Sequence, residues 1–102
     1  MNRTLLTVVL IASLGAVGTA RAAGDVRAGK AKATALCVGC HGANGEGIAP
    51  NPGLKGKTED QVAQALKDYK SGARNNAVMK AIALQVTDPD VANLAAYYAT
   101  IK

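Results

Sequence analysis

Apolar residues recur every three or four positions in four stretches of the chain, a pattern that predicts amphipathic helices. The first predicted helix covers residues 25–37 and begins at Asp25, a residue type that commonly caps helix N-termini. Gly29 lies inside this helix at a cost of about 1 kcal/mol relative to alanine. A glycine retained at that cost indicates a packing requirement, and we expect a close helix crossing there.

The second predicted helix covers residues 58–71. Thr58 and Gln61 match a capping box, in which each side chain accepts a hydrogen bond from the other residue's backbone N–H. Gly72 follows the last position, where glycine commonly ends a helix. The apolar stripe of this helix consists of Val62, Ala65, Leu66 and Tyr69.

The C-terminal part of the chain predicts two more helices. A short one begins at Asn75 or Asn76 and includes residues 78–82. The last begins at Thr87, which forms a second capping box with Asp90. The sequence shows no strand alternation, internal repeat or second domain. It therefore predicts an all-α fold of four to five helices.

The N-terminal residues have the composition of a targeting segment. A short positive region at residues 2–3 precedes an uncharged apolar run at residues 5–17, and residues 20–22 form a small-x-small cleavage site. We expect residues 1–22 to be a signal peptide and residues 23–102 to form one domain in the periplasm. An uncleaved membrane anchor is the alternative, although so short an apolar run is marginal for a membrane span.

The predicted mature domain is small and weakly basic. Residues 23–102 contain no Trp or Phe, and a domain of this size generally needs a covalent or metal staple. Without Arg3 and Arg21, ten basic residues remain against seven acidic ones, a net charge of +3. Such a charge with so few aromatic residues does not favour nucleic acid as a partner. It is compatible with electrostatic steering toward an acidic protein.

The two cysteines and the single histidine of the chain lie together in Cys37-Val38-Gly39-Cys40-His41. This C-x-x-C-H spacing is the attachment signature of c-type haem, because each thiol can add to one vinyl group of the porphyrin. The imidazole that follows falls beneath the ring, where it can bind iron. We therefore predict one haem c attached through Cys37 and Cys40 and ligated by His41. Because the haem supplies apolar mass that the chain lacks, the haem-free polypeptide is predicted to be largely unfolded.

Three other sites use cysteine pairs of this kind. A thioredoxin-like dithiol is expected in a βαβ setting, and no strand pattern precedes Cys37. A structural zinc site needs four ligands, whereas the sequence has three Cys or His residues in total. A disulfide between residues three apart would close a very small loop and stabilise little.

Residues 42–56 contain five glycines and two prolines and predict a long loop. A loop of this length in a small domain is expected to wrap around something, here one edge of the haem, with Ile48 and Leu54 as apolar contacts. Met79 is the one methionine outside the signal segment, and it follows His41 by 38 residues. That is enough chain to reach the opposite face of the haem, although a lone methionine commonly fills a core.

Taken in order, these motifs resemble the class I cytochromes c, and specifically the small bacterial cytochrome c-553 group, related to each half of the tandem dihaem cytochromes. The resemblance covers residues 23–102 and implies the cytochrome c fold. It is carried by Gly29, Cys37-Val38-Gly39-Cys40-His41-Gly42, Pro52-Gly53-Leu54-Lys55-Gly56, Tyr69-Lys70-Ser71-Gly72-Ala73-Arg74, Met79, Asp90 and Leu94-Ala95-Ala96-Tyr97-Tyr98.

The resemblance implies a role for each matching position of the haem site. Cys37 and Cys40 correspond to the thioether anchors, His41 to the proximal ligand and Met79 to the distal ligand. Pro52 corresponds to the loop proline whose carbonyl accepts the Nδ1–H of the ligating histidine.

Other matching positions lie around the site. Arg74 corresponds to a family arginine that we expect near a haem propionate. Gly29 corresponds to the crossing of the first helix with an aromatic residue of the last, here Tyr97 or Tyr98. One departure is Ala77, where relatives often carry proline.

The implied function is one-electron transfer in the periplasm by a monomeric carrier with a low-spin His/Met-ligated haem, and not an enzymatic reaction. The expected partners are a donor and an acceptor of the respiratory chain with acidic docking surfaces, met by Lys55, Lys57, Lys70 and Lys80. The main alternative is a haem c subunit of a larger dehydrogenase or oxidase. A five-coordinate haem sensor or a peroxidase would require an open distal site.

Overall fold

The structure, a computed structural model, describes residues 24–102; the predicted signal peptide at residues 1–22 lies outside the described residues. The helices of the described part are α1 (Val26–Leu36), α2 (Val38–His41), α3 (Glu59–Ser71), α4 (Ala77–Ala83) and α5 (Asp88–Ala99). Residues 24–102 contain no strand beyond an isolated bridge between Ile48 and Asn51. The predicted all-α fold is confirmed. None of the described helices is both long and apolar enough to cross a membrane.

Side-chain caps determine where the longer helices begin. Asp25 caps α1 by accepting hydrogen bonds from two backbone N–H groups, and both predicted capping boxes form, at the starts of α3 and α5. The helix predicted over residues 25–37 ends one residue early, at Leu36, and Cys37, whose N–H still donates to the Ala33 carbonyl, separates it from α2. The C-x-x-C-H motif therefore forms a helical turn of its own.

Helices α1 and α5 cross closely at the predicted glycine, and theirs is the most extensive helix–helix contact of the described chain. Gly29 is buried, and a Cβ atom there would overlap the backbone carbonyl of Asn93 and meet the Cβ of Tyr97. The backbone N–H of Asp25 donates to Oδ1 of Asn93 at 2.8 Å, which fixes the start of α1 on α5. The aromatic residue at the crossing is thus Tyr97 rather than Tyr98.

Helix α5 supplies much of the core, since it packs on α1 and on α3, while α4 packs on α3. Its apolar stripe buries Leu94 and Tyr98 almost completely. The core cluster consists of Ala33, Val62, Leu66, Val86, Val91, Leu94, Ala95 and Tyr98. This cluster is small, and several of its members also line the cavity described below.

The loop between α2 and α3 is tied together by backbone hydrogen bonds. The carbonyl of Gly45 accepts from the N–H groups of Leu54 and Lys55, at 2.7 and 2.9 Å. Gly45 has a φ of 66°, and a Cβ atom there would lie 3.0 Å from the ring of Tyr98. Glycine is therefore required both by the backbone conformation and by the closeness of the loop to α5.

Candidate haem site

Helices α2, α3, α4 and α5 and the loop between α2 and α3 surround a cavity of about 1160 Å³. This volume is slightly above the range of about 300–1,000 Å³ that is usual for small-molecule sites. Its lining includes both thiols, the imidazole and the thioether of the predicted site: Cys37, Cys40, His41 and Met79. The structure therefore brings to one cavity residues that are up to 42 positions apart in the sequence.

The imidazole of His41 is held in one orientation by the loop. Its side chain is buried, with 6% exposure, and Nδ1 lies 2.7 Å from the carbonyl oxygen of Pro52. A proline carbonyl can only accept, so Nδ1 carries the proton of this hydrogen bond. In a neutral imidazole, Nε2 is then unprotonated and has the lone pair that a metal ligand needs. This is the contact that the family resemblance implied for Pro52.

Both cysteines line the cavity from a single helical turn. Residues three apart share one face of a helix, so Cys37 and Cys40 can both reach the cavity. Both are free thiols in the polypeptide, Cys37 partly buried and Cys40 exposed. Burial raises the pKa of the Cys37 thiol, and an interaction with the Tyr98 hydroxyl partly offsets this. Cys37 is therefore a protonated, poorly nucleophilic thiol in the folded chain.

Met79 reaches the cavity from the first turn of α4. It is partly buried and packs against the core cluster. The side chain of Asn76 accepts a hydrogen bond from the Met79 backbone N–H at 3.0 Å and so caps α4. This cap fixes the helix start at Ala77 and thereby places Met79.

The other predicted site residues divide into those that reach the cavity and one that does not. Pro52, Leu54 and Arg74 line it. Ile48 is absent from the lining and is 50% exposed, because the loop turns back there, with the Asn51 N–H donating to its carbonyl. The structure therefore does not bring Ile48 into contact with the cavity.

Arg74 lies at the cavity edge, over an aromatic ring. Its guanidinium carbon is 5.1 Å from the centroid of the Tyr69 ring, a cation–π distance. Its backbone N–H donates to the carbonyl of Asp68 at the end of α3. These contacts hold a positive charge among the lining residues, and a haem propionate as its partner remains a prediction.

Two features of the site were missed from the sequence. Tyr98 was predicted as one of two candidates for the crossing with α1, yet its ring lines the cavity and its hydroxyl lies in the protein interior. The signal was its polar tip in an otherwise apolar stripe. Lys70, predicted to help dock a partner, instead donates through Nζ to the carbonyl of Val86. That lysine is therefore engaged within the protein.

The residues present fit a covalently attached haem. Two free thiols lie one turn apart beside a buried imidazole whose Nε2 is free to ligate. A thioether lines the same cavity, and apolar side chains such as Val62 and Leu94 form its wall. The fold and this site define an all-α haem protein of the c type.

Comparison with known sequences agrees with this class. The sequence model for cytochrome c matches residues 26–102, and the chain belongs to the cytochrome c family. It is 43% identical to cytochrome c4 of Pseudomonas aeruginosa over the whole chain, which covers 50% of that protein. It is 40% identical to cytochrome c-554(548) of Halomonas halodenitrificans over 76% of this chain and 98% of that protein. Membership of the family establishes a covalently bound haem c, attached through Cys37 and Cys40.

The fold is also similar to that of a solved structure. Cytochrome c4 of Acidithiobacillus ferrooxidans is similar with a TM-score of 0.69 and 31% identity, over 74% of this chain and 49% of that one. The chain thus spans about half the length of the cytochrome c4 proteins that it matches.

Proposed function

We propose that the protein is a periplasmic electron carrier that passes single electrons between protein redox partners. The observation that carries this proposal is that His41 and Met79 line the same cavity. These two side chains can fill both axial positions of one iron, which leaves no open position for a substrate. When bound, the haem supplies an iron that gains or loses one electron.

The chain's own residues keep the two ligands in place during this change. The hydrogen bond from Nδ1 of His41 to the Pro52 carbonyl prevents the imidazole from rotating and keeps the proton off Nε2. The Asn76 cap holds the backbone of Met79 at the start of α4. Because neither ligand needs to leave or turn, the structural rearrangement that accompanies electron transfer stays small.

A catalytic role fits these residues less well. A peroxidase needs a distal acid/base group beside an open position, and the sequence contains no histidine other than His41. A gas sensor would need Met79 to act as core filler only. A haem subunit of a larger dehydrogenase or oxidase would use the same site and differ from a free carrier in its partner alone.

Carbon monoxide binding tests the ligand assignment. The reduced mature protein is expected to show an unchanged visible spectrum on addition of the gas, and the oxidised form a weak near-red band from methionine ligation. Met79→Ala should bind carbon monoxide readily and lose the near-red band. Leu84→Ala, at an exposed position at the end of α4 that does not line the cavity, is the matched control and should behave like the wild type. Ready binding by the wild type would refute electron transfer through a six-coordinate iron.

We also propose a monomer that docks acidic partner proteins. The support is the basic net charge and the positions of Lys57 in the cavity lining and of Lys55 and Lys80 on the surface. Because Asp60 also lines the cavity, the charge at the cavity edge is mixed and the steering is expected to be moderate.

The salt dependence of electron transfer to an acidic redox protein tests the docking proposal. The rate should fall as salt rises, and Lys57→Gln should flatten that dependence. Lys30→Gln, on the exposed face of α1, removes the same charge away from the cavity and should leave the slope nearly unchanged. A rate that is independent of salt in the wild type would rule out electrostatic docking.

A further inference from the structure

One buried polar atom at the cavity is left without a partner. The phenol oxygen of Tyr98 is the single buried side-chain polar atom in residues 24–102 that makes no hydrogen bond. The residue is 2% exposed and lines the cavity. Buried hydroxyl groups are almost always hydrogen-bonded, because an unpaired one has lost its water without compensation. We therefore expect this hydroxyl to have a hydrogen-bond partner in the haem-bound protein that the haem-free polypeptide does not supply.

The ring of Tyr98 is packed against its neighbours, which limits where its hydroxyl can lie. One edge of it lies against Gly45, where an added Cβ atom would be only 3.0 Å from the ring. It also packs at a tilt against the ring of Tyr97, with ring centroids 5.0 Å apart. The position of the hydroxyl is thus determined by the loop and by α5 together.

The side chain that shares this part of the interior is Cys37. It packs against the core cluster that contains Tyr98. The two groups affect each other's ionisation: the hydroxyl lowers the pKa of the thiol, and burial followed by the nearby Cys37 raises the pKa of the phenol. The phenol therefore keeps its proton at any working pH and can always donate. In the thiol form the phenol oxygen has no hydrogen-bond partner.

Attachment of the haem changes what the Cys37 sulfur can do. The thiol adds across a vinyl group: a new carbon–sulfur bond forms, and the proton of the thiol ends on the other vinyl carbon. No electrons are gained or lost in this addition. The resulting thioether sulfur has no proton and can only accept a hydrogen bond. In a hydrogen bond between the two groups, the Tyr98 hydroxyl must therefore be the donor and the sulfur the acceptor.

We propose that Tyr98 is a positioning residue whose hydroxyl donates a hydrogen bond to the Cys37 thioether sulfur. The bond would orient that sulfur and direct the positive end of the O–H dipole toward the edge of the haem. A positive dipole end stabilises the electron-richer reduced form, so it raises the reduction potential. The inference rests on haem attachment through Cys37 and holds whether or not the protein acts as a free electron carrier.

Tyr98→Phe tests this with a change of one oxygen atom, and Tyr97→Phe is the matched control at the neighbouring residue, whose Cβ contacts Gly29 instead of the cavity. We expect Tyr98→Phe to shift the equilibrium between reduced and oxidised protein about threefold toward the oxidised form, a fall of about 28 mV at 59 mV per tenfold. Tyr97→Phe should leave the potential within error of the wild type. A mass spectrum of each variant establishes that the haem is attached.

Proton NMR of the reduced wild-type protein gives a second readout that needs no variant. A slowly exchanging Tyr98 hydroxyl proton with a nuclear Overhauser effect to the Cys37 β-protons would support the proposal. The same proton close to a haem propionate, or rapid exchange with solvent, would overturn it. Equal potentials of the two phenylalanine variants would overturn it as well. Should Tyr98→Phe fail to retain haem, the wild-type spectrum alone decides.

Discussion

The Gly29→Ala substitution measures how much stability depends on the close crossing of α1 and α5. A Cβ atom at this position would overlap the carbonyl of Asn93, which belongs to the backbone of α5 and cannot rotate aside. It would also meet the Cβ of Tyr97. The two helices would therefore have to separate along the most extensive helix contact of the described chain.

The expected loss follows from two opposing effects. Overpacking a well-packed interior costs about 1–3 kcal/mol. Because the clash here is with rigid backbone, we expect a cost at the upper end, about 3 kcal/mol. Alanine gains about 1 kcal/mol over glycine in helix propensity. The net loss is therefore about 2 kcal/mol, which in a domain of this size lowers Tm by about 8–16 °C.

Guanidinium unfolding of the haem-bound protein, followed by far-UV circular dichroism, provides the measurement. The midpoint should fall while the m-value stays constant, which shows that the same surface is exposed on unfolding. Gly39→Ala is the matched control, because a Cβ there meets no atom of the polypeptide within 4 Å. It should be at least as stable as the wild type, since alanine also gains helix propensity within α2. If Gly29→Ala lies within about 0.5 kcal/mol of the wild type, the size of a surface substitution, the argument for an obligatory close crossing is wrong.

Two further predictions concern acid and haem removal. The Asp90 carboxylate accepts a hydrogen bond from the Thr87 backbone N–H, which lowers its pKa in the folded state. Its stabilising contribution is thus complete above the unfolded pKa of about 3.9 and is lost as pH falls through the folded pKa. Asp90→Asn should show a weaker loss of stability on acidification than the wild type, with Asp88→Asn as control; parallel curves would contradict this cause. A chain with Cys37→Ala and Cys40→Ala should show little far-UV helicity, and native-like helicity would refute the need for haem in folding.

The sequence predicted best those features that depend on neighbouring residues. The capping boxes at Thr58 and Thr87 formed as expected, because both partners of a box lie within one turn and need no tertiary contact. The C-x-x-C-H motif is similarly local. These local features were enough to predict the all-α fold and the haem attachment site.

Features that depend on how elements pack were beyond the sequence. Tyr97 and Tyr98 are adjacent and point about 100° apart on a helix, so the apolar pattern cannot tell which meets α1. The exposure of Ile48 results from backbone hydrogen bonds within the loop, which no hydropathy pattern records. The hydrogen bond from Lys70 to the Val86 carbonyl joins residues 16 positions apart, so the sequence predicted only a surface charge.

The two adjacent tyrosines connect the stability of the fold to the geometry of the site. Tyr97 packs at Gly29 on α1, and eight residues later α1 leads into the first cysteine of the haem motif. Tyr98 lines the cavity from the same turn of α5. A shift of α1 along α5 would therefore move Cys37 relative to the Tyr98 hydroxyl by a similar distance. The close crossing thus serves to set the register between the haem anchor and its neighbour as well as to bury apolar surface.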